Sequence, residues 1–185
     1  MASLREGAWR HQAWLALLVV AISGFSLVYA CAIPFAAFAV MAAMTLSRGD
    51  AYRTTIVLWL VNQVIGYIIL GYPWTVNSFS WGIVIGVVAS LCTMTARWIV
   101  ARLRMAWRAA QALVALGAAF AVYEVALYGV AVAGLGGTGT FVLPLDGRIL
   151  IVNAAALVGL YGLHWIGAAV GLRHRRVFPV AARPA

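Results

Sequence analysis

Glu124 is the acidic residue that the hydropathy pattern places inside an apolar run, where a carboxylate costs several kcal/mol unless it is paired, hydrated or protonated. It is flanked by Tyr123 and lies one helical turn from Phe120 and Tyr128. The run at 149–171 supplies Asn153, Tyr161 and His164, and at about 100° per residue Asn153 and His164 project within about 20° of each other. The run at 54–72 adds Asn62 and Gln63, with Trp59 and Tyr67 on either side, and the connection after it carries Trp74 and Asn77 among turn formers and aromatics. One acid, one imidazole, several amides and many rings suit a planar, hydrogen-bonding or cationic small molecule. The structural alternatives are a protonated Glu124 bonded to a neighbouring helix, amides that join helices, and an interfacial belt of Trp and Tyr.

Other chemistries cannot be assembled. A haem held by two histidines needs a second ligand at matched depth, but His11 and His174 fall at the ends of apolar runs and His164 inside one. A serine hydrolase or a metal centre needs bases and carboxylates that this set does not contain, so no catalytic residue, metal or cofactor is expected. The glycine-rich stretch 134–140 follows no strand and carries no lysine, which rejects a phosphate-binding loop. Its alternatives are a connector and a flexible lid.

The elements that must position these residues are membrane spans. The 185 residues are 65% hydrophobic and 9% charged, against about 25% charged in soluble domains. Apolar runs at 12–30, 33–47, 54–72, 78–96, 109–133 and 149–171 are each near the length that crosses about 30 Å of hydrocarbon. The second is the shortest and opens at Pro34, so a tilted or re-entrant pair is an alternative to a full crossing. All thirteen basic residues are arginine. Arg5 and Arg10 precede the first run, Arg48 and Arg53 follow the second, Arg97, Arg102, Arg104 and Arg108 follow the fourth, and Arg173, Arg175 and Arg176 follow the sixth. The intervening connections hold only Arg148, beside Asp146. This alternation predicts a single all-α membrane domain of six transmembrane helices with both termini cytoplasmic, and it explains the net charge of +9 without nucleic acid. Cys31 and Cys92 fall near opposite membrane faces, too far apart for a disulfide. Gly82, Gly86 and Ser90, like Ala39 and Ala43, have the small-residue spacing of close helix contacts.

Six short helices, cytoplasmic ends, arginine-poor outer connections and a polar, aromatic outer region resemble the substrate-binding S component of energy-coupling factor vitamin transporters. The resemblance implies a bacterial inner-membrane subunit that captures a vitamin or precursor outside the cell and topples against a membrane coupling subunit driven by two ATPases. It implies that Ala36, Ala39 and Ala43, in the stretch 36–43, face the coupling subunit. Trp74, Tyr123, Glu124, Asn153 and His164 look like the set that thiamine-binding members turn on a cationic aromatic ligand. The expectation is a non-enzymatic solute-binding subunit in membrane lipid, with Glu124, Asn153, His164, Tyr123, Trp74, Asn77, Tyr161 and Gln63 at the ligand. The alternative is a structural or assembly subunit of a larger membrane complex.

Overall fold

Serine and threonine oxygens mark where two of the helices begin. Ser47 Oγ accepts the N–H of Asp50 at 3.1 Å and donates to Asp50 Oδ2 at 2.7 Å, while Thr75 Oγ1 accepts the N–H of Ser78 at 3.2 Å. The computed structural model describes residues 2–29, 33–103, 105 and 107–170, with side chains described from residue 9 to 24 in the first of these stretches. It contains six α-helices: α1 (Ala2–Tyr29), α2 (Phe35–Thr45), α3 (Arg48–Val64), α4 (Val76–Arg102), α5 (Arg108–Val130) and α6 (Leu143–Ala169). No strand occurs among the described residues. The residues Val76–Arg102, Arg108–Leu135 and Leu143–Ala169 are each long and apolar enough to cross a membrane.

Several helices outrun their apolar segments, because caps and not hydropathy set their ends. The helix expected from residue 54 starts at Arg48 under the Ser47 cap, and α4 continues to Arg102. The helix expected from 149 starts at Leu143, where Pro144 occupies the first turn and Asp146 lies near the positive end of the helix dipole. The C-terminal ends of α3 and α5 widen into π-helical turns, Ile65–Ile69 and Ala131–Leu135, the second already kinked inside at Gly134 with φ 137°. Each then breaks at glycines with positive φ, Gly71 at 67° and Gly136 at 77°, a region L side chains rarely enter.

The second element is the centre of the molecule. Its helix has 11 residues, about 16 Å of rise, or about half the hydrocarbon thickness. It is apolar on all sides, as a helix surrounded by protein must be. Phe35 through Ala42 are all buried. Ala36, Ala37, Ala39 and Val40 form one core with α4, α5 and α6, where small side chains permit close approach. Phe35, Phe38 and Met41 form a second core with Trp14, Leu18 and Ile22, the stripe of α1 that turns inward. Helix α2 therefore lies inside a ring formed by α1, α3, α4, α5 and α6, and α5 and α6 touch each other only sparingly.

Tight seams close the rest of the ring. Between α3 and α4, Trp59 Nε1 donates to the carbonyl of Gly82 at 2.7 Å, and Thr55 and Thr93 share a buried hydroxyl hydrogen bond of 2.9 Å. Gly82 faces Gln63 and Gly86 faces Trp59, both so closely that a Cβ would collide. Gly167 on α6 receives the ring of Trp14 from α1 in the same way.

Candidate functional site

The depth of each site residue follows from hydrogen bonds between helices. Three of them set the antiparallel register of α4 and α5: Gln111 Nε2 to the carbonyl of Leu103 at 2.6 Å, Cys92 Sγ to the carbonyl of Ala119 at 3.3 Å, and Asn77 Nδ2 to the carbonyl of Leu135 at 3.0 Å. Interpolating between them puts Tyr123 and Glu124 level with Val88. Helix α2 runs parallel to α4, with the carbonyl of Leu46 facing Arg97 Nη1 at 3.5 Å. An equal stretch toward the N-terminus along both helices brings Ala37 level with Val88. The N–H of Ala37 donates to Asn153 Oδ1 at 3.1 Å, so α6 joins the same level. The first turn of α2, Glu124 and Asn153 thus share one depth, and from there α4 extends back to Val76 for about 18 Å. The ring encloses no central helix over that stretch among the described residues. Trp81, Tyr123 and Phe141 pack against the core there yet remain only partly buried.

Glu124 lies on the flank of α5 between the core-facing Leu127 and the exposed Tyr128. Its Oε1 is sealed from solvent, and among the described residues no hydrogen-bond partner meets it. Buried carboxylate oxygens are nearly always paired. Rings surround the approach: Phe120 stacks on Tyr123 with centroids 6.4 Å apart, and Tyr128 meets Phe141 edge-on at 5.3 Å.

Asn153 is buried, and both ends of its amide are engaged: Oδ1 holds Ala37, while Nδ2 donates to the carbonyl of Ile149 at 3.0 Å. It caps the buried α2 helix from a neighbouring helix. His164 lies about 16 Å deeper along α6 than Asn153. It rests between Trp14 of α1 and Tyr161, with centroids at 5.9 Å and 6.3 Å. Gln63 belongs to the α3–α4 seam at Gly82. Asn77 ties α4 to the π turn of α5. Trp74 is 73% exposed in an outer cluster where Tyr67 contacts Tyr72, Trp74 and Phe79 and its hydroxyl reaches Ser78 Oγ at 3.1 Å. Ala36 and Ala39 are spent inside the chain, and Ala43 packs on the same core. Cys31 and His174 lie outside the described residues.

Of the residues expected at the ligand, the register therefore brings Tyr123, Glu124 and Asn153 to one level and leaves Gln63, Trp74, Asn77, Tyr161 and His164 elsewhere. Sequence reasoning left Asp146 in a connection, whereas it lies in the first turn of α6. Its signal was present: Pro144 followed by an acid two residues later marks a helix start, which moves Asp146 from the connection onto α6. Compared with protein-family models, with curated proteins and with solved structures, the chain matches none of them.

Proposed function

We propose that this chain is a non-enzymatic, multi-pass membrane protein that binds a small cationic solute from the outer side, with Glu124 as its counter-charge. The observation that carries this reading is the sealed Oε1 of Glu124, which meets no hydrogen-bond partner among the described residues. Among the described residues no group of three or more His, Cys, Asp or Glu side chains gathers as a metal site would require, which favours an organic cation over a coordinated metal ion. The partly buried rings of Tyr123, Tyr128 and Phe141 supply π faces for such a cation.

In this reading all six helices lie in the membrane, α2 as a half-length core helix inside the ring. The arginine-bearing connections and both termini are cytoplasmic. The chain carries no nucleotide-binding motif, so uptake of a nutrient would draw its energy from partner subunits, as the likeness to vitamin-transporter S components implies. Native mass spectrometry of the gently solubilised chain tests the reading. A retained basic small molecule is the expected result. A stoichiometric membrane partner without a small molecule would instead make the chain an assembly subunit, with the partner supplying the donor to Glu124. Reporter fusions at Ser47, Ser78, Arg102, Thr138 and Ala185 should read inside, outside, inside, outside, inside.

A further inference from the structure

The turn from α4 to α5 carries an arrangement that the solute site does not use. Arg102 is exposed at the end of α4 and Arg108 is exposed at the start of α5. Between them Leu103 and Met105 are exposed, and Trp107 is 79% exposed. Gln111 Nε2 of α5 donates to the carbonyls of Val100 and Leu103, tying off the last turn of α4. Three exposed apolar side chains therefore accompany two exposed guanidinium groups where α4 ends and α5 begins. No acidic residue occurs anywhere in 97–111 to offset that charge.

Depth says what meets them. The 27 residues of α4 rise about 40 Å, about 10 Å more than the hydrocarbon of a bilayer. Beside its first turns lies the cluster of Tyr67, Trp74 and Phe79, the ring content of an interface. Counting about 30 Å inward from Val76 reaches the neighbourhood of Ala96 and Trp98, another exposed tryptophan. Arg102, Trp107 and Arg108 then fall in the opposite headgroup layer. Guanidinium groups bind phosphate oxygens in paired, charge-assisted hydrogen bonds, and the indole ring favours the same layer.

We propose that the α4–α5 turn is a binding site for an anionic phospholipid, with Arg102 and Arg108 on the headgroup phosphate and Leu103, Met105 and Trp107 entering the acyl boundary. The uncompensated positive charge of Arg102 and Arg108, with Arg104 between them in the sequence, selects a lipid whose phosphate is not neutralised by its own choline. The site rests on the membrane reading above but not on Glu124. The test places the full chain in nanodiscs of equal phosphatidylglycerol and phosphatidylcholine and counts the lipids retained in native mass spectra. Retained phosphatidylglycerol should exceed phosphatidylcholine at least about tenfold, since each arginine near an anionic surface adds to the attraction. Arg102→Gln with Arg108→Gln should remove most of that preference, Arg104 keeping the remainder, while Arg53→Gln, at an exposed arginine of α3, keeps it whole. Arg102→Lys with Arg108→Lys should keep most of the preference and so separates lost charge from lost folding. Equal retention of both lipids by the unmodified chain would overturn the proposal, as would full preference in the double glutamine variant, or a second copy of the chain seated on the turn in place of lipid. A chain that does not enter nanodiscs would overturn the membrane reading itself.

Discussion

Replacing Asn153 by leucine tests the capping of the buried α2 helix. Leucine keeps the approximate size of asparagine and is at home in a helix, so the change removes the amide with little new strain. The first turn of α2 then loses the acceptor of the Ala37 N–H, which is fully enclosed by α4, α5 and α6. An orphaned buried donor costs about 1–3 kcal/mol, and loss of a helix N-cap about 0.5–2 kcal/mol. Side-chain hydrogen bonds between membrane helices average nearer 0.6 kcal/mol, because the unfolded reference also finds partners. About 1–2 kcal/mol of destabilisation is therefore expected. The assay is equilibrium unfolding in mixed micelles followed by circular dichroism, beside hydrogen exchange of a peptide covering the start of α2. Exchange there should accelerate while that of the α3–α4 seam is unchanged. A loss below about 0.3 kcal/mol with unaltered exchange would refute the cap as a stabilising contact, since it would fall under even the membrane average.

Gly167→Ala drives a Cβ into the Trp14 ring and should loosen α1 from α6, at a cost of about 1–3 kcal/mol in the same unfolding assay. A cross-link between cysteines placed along those two helices should weaken in parallel. The Thr55→Val and Thr93→Val double-mutant cycle should give a coupling of only about 0.6 kcal/mol, because each hydroxyl also contacts the carbonyl one turn back, of Ala51 and Ala89. Tyr67→Ala should cost more stability than Trp74→Ala, since Tyr67 is the ring that three others share and Trp74 is mostly exposed.

The helices themselves were legible because runs of apolar residues punctuated by arginine leave few alternatives. The small-residue rows were legible too: Gly82 and Gly86 form the surface on which Gln63 and Trp59 rest. The role of α2 was not. A helix that is apolar on all sides reads the same whether lipid or protein surrounds it, so nothing in 35–45 distinguishes a peripheral span from the centre of a ring. Asn153 and His164 do project from one face of α6, as their spacing requires. Angle alone carries no depth, however, and a helix rise of about 16 Å separates them into different seams. Asp146 was hidden because hydropathy ends where polar residues begin, while the helix continues outward for another two turns.

The account stands on Glu124 as the counter-charge of a bound cation. The most direct measurement is the affinity, in detergent or nanodiscs, of the basic solute that native mass spectrometry identifies, for the unmodified chain and for Glu124→Gln, with melting temperature recorded beside it. Glutamine preserves size and hydrogen bonding but removes the charge, and charge-assisted contacts are about twice as strong as neutral ones. The prediction is at least about a tenfold loss of affinity, or 1.4 kcal/mol, with little change in melting temperature. Unchanged affinity in Glu124→Gln would contradict the account and remove this carboxylate from the site.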